Sequence, residues 1–166
     1  MAVIGIDPGT AITGFGIIEE AQDGSLRPLA YGVIETPSNL EMPARLSILY
    51  NQLTEILLLH QPKSGAVEKL FFQRNVRTAL SVGQARGVAI LALQQQGVLL
   101  GEYTPLEVKQ AVAGYGSADK RQVQLMVRTL LGLADIPKPD DAADALAIAI
   151  CHLHSQKFQQ MANEEW

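Results

Sequence analysis

Apolar residues along the chain first follow strand-like runs and later helical spacing, and this pattern predicts the order of the elements. Three strand-like runs come first, at residues 2–7, 13–20 and 26–35, joined by short turns. Residues 41–59 then repeat apolar side chains at helical spacing. The remaining expected elements are strands at 65–70 and 98–103 and helices that begin at Asn75, Thr104, Ser117 and Asp140.

Strands that first meander and later alternate with helices predict one mixed sheet. We expect a single α/β domain over residues 1–156, with a three-strand antiparallel meander, two parallel strands and helices on both faces. A right-handed crossover would place the fourth strand beside the first and parallel to it. The last helix is expected to end near Gln156, which leaves residues 157–166 as a flexible C-terminal tail.

Composition narrows the class of protein. The chain has 166 residues, of which 48% are hydrophobic and 18% charged, enough apolar material for the core of one domain. No run approaches the roughly 20 apolar residues of a membrane span, and the N-terminus lacks a secretion signal, so a cytoplasmic protein is expected. The single cysteine, Cys151, excludes an internal disulfide and a multi-cysteine zinc cluster.

Charge is unevenly distributed along the chain. Residues 69–128 hold eight basic and three acidic residues, a net charge of +5, whereas the rest holds five basic and fourteen acidic residues, a net charge of −9. A basic face for phosphates beside gathered carboxylates is what metal-dependent chemistry on phosphate requires. Ordinary scatter of surface charge explains this division equally well.

Four carboxylates are expected to meet at one edge of the sheet. Asp7 ends the first strand and Glu68 ends the fourth, and ligands of such sheets bind beyond the carboxyl ends of parallel strands. Asp141 and Asp144 are three residues apart and share one face of a helix. An alternative role for Asp140 and Asp141 is interaction with the helix dipole. Four oxygen ligands without cysteine suit Mg²⁺ or Mn²⁺ better than zinc.

Several blocks of the sequence carry a family resemblance. The blocks GIDPGTAITGFGII, AVEKLFF, GQARGVAI, VKQAVAGYGSADKRQVQLMV and DDAADALAIAI, in this order, resemble the RuvC family of Holliday-junction resolvases, a branch of the RNase H-like nucleases. The resemblance covers essentially the whole chain. It implies an RNase H-like fold and an endonuclease of recombination and repair that nicks two opposed strands of a four-way DNA junction, leaving 5′-phosphate and 3′-hydroxyl ends.

The resemblance also implies roles for individual residues. Asp7, Glu68, Asp141 and Asp144 correspond to the family's four catalytic acids, which would hold two Mg²⁺ ions, with Mn²⁺ as a substitute. Phe71 corresponds to the family's aromatic position near the junction centre, and Lys109 and Lys120 correspond to its basic positions. The sequence itself adds Phe72, Arg74 and Arg77 as predicted DNA contacts, because an exposed ring among cations just after the fourth strand would stack on an unpaired base.

Plainer explanations exist for some of these residues. The Phe71–Phe72 pair is equally compatible with a place in the core, and unfavourable surface lysines such as Lys120 are common. If Ser117 caps its helix, Lys120 is the third residue of that helix, where the dipole slightly disfavours a cation. An exposed phosphate partner would explain that position.

Gly83 and Gly87 lie in the interior of a predicted helix, where each glycine costs about 1 kcal/mol relative to alanine. Close packing of helices, inside the fold or across a twofold axis, would explain them. Symmetric cutting favours the twofold axis, because the family resemblance implies a homodimer. Four-way junction DNA, a second copy of the chain and a branch-migration motor are therefore the expected partners, and no membrane is expected.

Other classes of function remain open at this point. The GIDPGT segment also resembles the first phosphate loop of actin-like ATPases and sugar kinases, but that fold needs a second lobe for which 166 residues leave no room. A junction-binding scaffold without catalysis is a second alternative, against which the presence of all four acids argues. A third is a ribosomal RNA processing factor of related fold, which would lack the long basic middle block.

Overall fold

The computed structural model of the chain describes residues 1–69 and 76–164. Its strands are β1 (Ala2–Asp7), β2 (Ile12–Glu20), β3 (Leu26–Glu35), β4 (Ser64–Glu68) and β5 (Leu99–Tyr103). Its helices are α1 (Met42–His60), α2 (Val76–Gln95), α3 (Pro105–Ala113), α4 (Lys120–Leu130) and α5 (Asp140–Glu164). Among these helices, none is long and apolar enough to cross a membrane.

The five strands form one sheet in the order β3-β2-β1-β4-β5. β1 pairs antiparallel with β2, and β2 pairs antiparallel with β3. β1 pairs parallel with β4, which in turn pairs parallel with β5. The predicted meander, the two parallel strands and the position of the fourth strand beside the first are therefore confirmed.

Alternating side chains of β1 divide the core between the two faces of the sheet. Val3 packs in a cluster with residues of α3, α4 and α5, whereas Ile4 and Ile6 pack in a second cluster with residues of α1 and α2. Each face of the sheet is therefore covered by helices, as predicted. The period of two along a strand is what produces this division.

Helix α5 lies unusually close to the sheet. A Cβ atom on Gly5 of β1 would stand 2.1 Å from the carbonyl oxygen of Ala145, and one on Gly16 of β2 would stand 2.7 Å from the Leu146 side chain. Five alanines of α5 are buried at this contact or near it, namely Ala142, Ala143, Ala145, Ala147 and Ala149. Small residues on both partners therefore allow a close approach that larger side chains would prevent.

The capping predictions had different outcomes. Thr104 caps α3 and forms the expected reciprocal box with Glu107, so that prediction is confirmed. Ser117 does not cap α4, and that prediction is wrong. Asp119 is the cap instead. Its carboxylate accepts a hydrogen bond from the backbone N–H of Gln122 at 2.8 Å, and the Gln122 side-chain oxygen accepts one from the backbone N–H of Asp119. Lys120 is consequently the first residue of α4.

Two other boundaries also differ from the sequence-based expectation. The fourth strand was expected to extend to residue 70, whereas β4 ends at Glu68. Leu70, and Asn75 at the predicted start of the next helix, lie outside the described residues. The predicted end of the last helix at Gln156 is wrong, because α5 continues to Glu164 through the segment expected to be a flexible tail. No glycine or proline interrupts residues 140–164, and Lys157 forms an ion pair with Glu20 that ties this part of α5 to β2.

His152 of α5 is buried, with 4% of its surface exposed. Its Nδ1 atom lies 2.9 Å from the Tyr103 hydroxyl, and its buried Nε2 atom has no hydrogen-bond partner among the described residues. Burial lowers the pKa of the imidazole to about 4. The side chain is therefore neutral at physiological pH and belongs to the core.

Candidate active site

Two carboxylates stand side by side at the carboxyl ends of parallel strands. Ile6 of β1 is paired with Val67 of β4, so the next residues, Asp7 and Glu68, end neighbouring strands at the same edge of the sheet. Both side chains are half-buried. The sheet therefore brings together the two acids that were predicted to meet there.

The first turns of α5 supply the other two acids. Gly14 of β2 is paired with Asp7, and a Cβ atom on Gly14 would stand 2.0 Å from the carbonyl oxygen of Asp141. The missing side chain at Gly14 lets α5 begin directly above the end of β1. The charge of Asp141 acts on Asp7, and Asp144 joins Asp7 and Glu68 in the lining of a cleft of about 230 Å³.

The electrostatics of Asp7 reflect this crowding of acids. Burial, followed by repulsion from Asp144, Asp141 and Glu68, raises the pKa of Asp7 to about 7. Burial and repulsion from Asp144 also raise the pKa of Glu68, which the charge of Lys109 partly opposes. The crowding of the four acids therefore opposes ionisation of Asp7.

Lys120 compensates part of this negative charge. Its Nζ atom lies 3.2 Å from Oδ2 of Asp140 and 3.4 Å from Oδ2 of Asp144. Burial raises the pKa of Asp144, and Lys120 acts in the opposite direction. The sequence suggested a phosphate as the partner of Lys120, whereas in this structure its partners are two aspartates of α5. No local pattern indicates such a contact between residues 20 and 24 positions apart.

The donor set can be tested against a metal ion. Within residues 1–69 and 76–164, no three acidic, histidine or cysteine side chains surround one point at the spacing of metal ligands. Lys120 offsets part of the negative charge of the acids. The available donors are all carboxylate oxygens, the ligands that hard divalent cations prefer. These residues therefore fit such a cation, which would relieve the repulsion that raises the pKa of Asp7.

Comparison with known proteins identifies the family. The family model described as crossover junction endodeoxyribonuclease RuvC matches residues 3–152. The chain belongs to the RuvC family. A relative of this name from Desulfitobacterium hafniense is 59% identical over 155 residues, which is 93% of each chain. Another from Chloroflexus aurantiacus is 60% identical over 155 residues, covering 93% of this chain and 94% of the relative.

A solved RuvC structure agrees with the fold. The structure described as T. thermophilus RuvC in complex with Holliday junction substrate superposes with a TM-score of 0.90 and 38% sequence identity. The match covers 96% of each chain. The RNase H-like architecture that the resemblance implied is thereby confirmed, and the RuvC family is one of metal-dependent endonucleases.

Three of the six residues predicted to contact DNA lie on described parts of this RuvC member. Lys109 and Lys120 both line the cleft. Arg77 is exposed in the first turn of α2. Phe71, Phe72 and Arg74 lie outside the described residues.

The two glycines predicted at a dimer interface lie on the outer surface of α2. A Cβ atom on Gly83 or Gly87 would meet no other atom within 4 Å. Packing among the described residues therefore does not explain why either position is glycine. Val76 and Leu80 of the same helix are 86% and 64% exposed, so α2 presents an apolar surface to its surroundings.

A network of hydroxyl groups fixes the loop that follows Asp7, and sequence reasoning missed it. Thr13 donates to the Gly9 carbonyl at 2.6 Å, which closes the turn. Thr36 donates to the Thr10 carbonyl at 2.5 Å and accepts from the Arg45 guanidinium at 2.9 Å. Because these residues are far apart in sequence and follow no period, only the occurrence of buried threonines beside Asp7 could have suggested their role.

Proposed function

We propose that this chain resolves four-way DNA junctions by nicking two opposed strands symmetrically in a Mg²⁺-dependent reaction that leaves 5′-phosphate and 3′-hydroxyl ends. The observation that carries this proposal is the meeting of Asp7, Glu68, Asp141 and Asp144 in one place, where their repulsion and burial raise the pKa of Asp7 to about 7. Acids without a functional role gain nothing from lying this close together, because their charges repel each other.

The proposed ligands of two Mg²⁺ ions are these four carboxylates. Bound together, the two ions would activate a water molecule and stabilise the leaving 3′ oxygen. Asp7 is the proposed central ligand, because it interacts with each of the other three acids. Deprotonation of Asp7 accompanies binding, since burial and the other acids favour its neutral form, which is a poor ligand for a cation.

Lys109 and Lys120 are the proposed contacts for phosphates beside the scissile bond. Both reach the cleft that Asp7 and Glu68 line. A phosphodiester carries a negative charge that the four acids repel, and an ammonium group at the rim offsets this repulsion. Lys120 would exchange Asp144 for a phosphate oxygen when that aspartate binds a metal ion, and its contact with Asp140 would keep it at the rim.

The remaining DNA contacts are proposed from the sequence. Phe71 and Phe72 would stack on bases near the centre of an opened junction, and Arg74 and Arg77 would contact the backbone. In the sequence, these four residues follow Glu68 of β4 or begin α2. We therefore expect the DNA to approach the edge of the sheet where Glu68 lies.

A homodimer is the proposed active form. Gly83 and Gly87 leave room on the outer surface of α2 for the backbone of another helix, and the exposed Val76 and Leu80 lie on the same helix. A twofold axis through this surface would present two equivalent sites to two equivalent strands. The nuclease unit in each copy is a single domain that acts on DNA in the cytoplasm during recombination and repair, in company with a branch-migration motor.

The decisive experiment compares cleavage with binding. A synthetic four-way junction is incubated with the protein in the presence and absence of Mg²⁺, and the products are resolved on a denaturing gel. We expect paired nicks in opposed strands only with Mg²⁺. Asp7→Asn should bind the junction and cut it at least 100-fold more slowly, because it removes a metal ligand while keeping the volume of the side chain.

The matched control for this variant is Asp23→Asn. Asp23 lies in the turn between β2 and β3, at the opposite end of the sheet, where its carboxylate accepts from Ser25. This variant should cut junctions at the wild-type rate. A wild-type protein that binds junctions without cutting them would favour the scaffold alternative, and an Asp7→Asn variant that cuts normally would exclude Asp7 as a ligand.

A further inference from the structure

Helix α2 makes a direct contact with the end of β4 through Arg86. The Nε atom of Arg86 donates to the backbone carbonyl of Glu68 at 3.4 Å. The same guanidinium forms an ion pair with Glu102 of β5, and only 18% of the Arg86 side chain is exposed. A guanidinium this deeply buried needs partners, and its partners here are the backbone of a proposed metal ligand and a carboxylate of the neighbouring strand.

The same helix also contacts the loop that follows Asp7. The Thr10 hydroxyl donates to the Ser81 carbonyl at 2.9 Å and lies 2.6 Å from the Ser81 hydroxyl. Thr10 is 8% exposed and is itself fixed by Thr36, which donates to its carbonyl. The loop that follows Asp7 is therefore held from two sides, by α2 and by Thr36 just after β3.

The Arg86 contact acts on the backbone of Glu68, and the Ser81 contact acts on the Thr10 side chain, three residues after Asp7. The groups that shift the pKa of Glu68 are its own burial, Asp144 and Lys109, and those that shift Asp7 are its burial and the other three acids. Neither Arg86 nor Ser81 is among these groups. What they determine is where the two strand ends lie relative to one rigid helix.

The geometry of α2 converts these contacts into a fixed spacing. Ser81 and Arg86 are five residues apart, which corresponds to about 7.5 Å along the helix axis. One contact holds the loop after Asp7 and the other holds Glu68, so the helix spans the two neighbouring strand ends. Two metal ions that share ligands require such a spacing to be kept within a few tenths of an ångström.

We propose that Arg86 and Thr10, through their contacts with Glu68 and Ser81, are positioning residues by which α2 sets the separation of the Asp7 and Glu68 carboxylates. This inference rests on the proposed function, in which those carboxylates bind metal ions. Gly83 and Gly87 lie on the outer surface of α2, so a second copy that packs there would contact the helix that positions the site.

The test measures binding of Mn²⁺ alone by electron paramagnetic resonance, without DNA. Arg86→Lys keeps the charge and loses the planar fork, and it should weaken Mn²⁺ binding roughly 10-fold. Thr10→Val keeps the shape and loses the hydroxyl, and it should weaken binding several-fold, whereas Thr10→Ser should bind as the wild type does. Arg27→Lys is the control, because Arg27 forms an ion pair with Glu19 away from the cleft.

A second measurement separates positioning from loss of stability. Junction cleavage is followed as a function of Mn²⁺ concentration at a temperature at which each variant is folded by circular dichroism. Cleavage by Arg86→Lys and Thr10→Val should need more Mn²⁺ to reach half its maximum and should recover at saturating Mn²⁺. A variant that is merely less stable would show an unchanged Mn²⁺ requirement, which would overturn the inference.

The remaining outcomes are also decisive. If Arg86→Lys does not fold, the comparison of Thr10→Val with Thr10→Ser decides alone, and equal Mn²⁺ affinity of that pair overturns the inference. A wild-type protein that binds Mn²⁺ and cuts junctions, beside variants of unchanged Mn²⁺ affinity, overturns this inference and leaves the proposed function standing. A wild-type protein that binds no Mn²⁺ overturns the proposed function and this inference with it.

Discussion

Replacing Asp7 with asparagine should make the metal-free protein more stable at neutral and alkaline pH. Burial and three neighbouring acids raise the pKa of Asp7 to about 7, against 3.8 for a free aspartate. Between these two values the folded protein holds a proton on Asp7 that the unfolded chain has lost. The free energy of unfolding therefore falls as the pH rises from about 4 to 7. Asparagine resembles the protonated form at every pH and removes this loss.

The size of the effect follows from the same two values. A difference from 3.8 to about 7 corresponds to about 4 kcal/mol, at roughly 1.4 kcal/mol per pH unit. Asp141 and Asp144 share part of the repulsion and keep it after the substitution, so we expect a gain of about 2–4 kcal/mol above pH 7. The gain should shrink steadily as the pH is lowered toward 4.

The assay is urea unfolding of the wild type and of Asp7→Asn in the presence of a chelator, at several pH values from 5 to 8. Asp23→Asn serves as the control, because its hydrogen bonds with Ser25 lower the pKa of Asp23 and its removal should not stabilise the protein. Excess Mg²⁺ should reverse the order at pH 8, since only the wild type keeps the proposed central ligand. An Asp7→Asn variant no more stable than the wild type at pH 8 would refute the reasoning.

Three further predictions concern DNA binding, assembly and acid stability. Lys120→Ala should lower the slope of log K against log salt for junction binding by roughly 0.9, the value for one lost duplex phosphate contact. Phe71→Ala should weaken the free energy of junction binding by about 1–3 kcal/mol and leave that slope unchanged. Salt titrations on a junction and on a linear duplex test both variants, and an unchanged slope for Lys120→Ala would refute the phosphate contact. Gly83→Leu should convert a dimer to a monomer in sedimentation at micromolar concentration, and a monomeric wild type would remove the basis of that prediction. Burial lowers the pKa of His152 to about 4, so the unfolded chain gains a proton below pH 6.5 that the folded protein does not, and stability should fall from pH 6.5 toward pH 4. His152→Gln should flatten this fall in urea unfolding, and an equally steep fall in the variant would contradict it.

The fold could be predicted from the sequence because its signals are local and periodic. The alternation of side chains in β1 and the helical spacing of α1 give the elements, and the order of strands and helices gives the sheet. The meeting of Asp7 and Glu68 followed from the rule that parallel strands end at the same edge. The glycines near Asp7 were visible as well, but only the structure shows that Gly14 makes room for the backbone of Asp141.

The contacts that could not be predicted join residues far apart in sequence through single side chains. Thr10 reaches Ser81 across 71 positions, and Arg86 reaches the Glu68 carbonyl across 18. Such contacts leave no period and depend on packing to within a few tenths of an ångström. The cap of α4 was predicted wrongly for a different reason. Ser117 and Asp119 are both good cap residues, and only the reciprocal hydrogen bond with Gln122 favours the aspartate.

The uneven charge of the chain acquires a physical meaning from the position of Lys120. The sequence suggested a basic face in one place and carboxylates in another, whereas the lysines at the cleft stand directly against the acids. A site with four acids and no cations would repel both the phosphodiester and any partner strand. In the proposed function, lysines at the rim would reduce that repulsion before a metal ion binds, and they would contact phosphate once the aspartates have bound the ion. A nuclease of this design needs its basic residues within a few ångströms of its acids, so net charge alone is a poor guide to whether such a protein binds DNA.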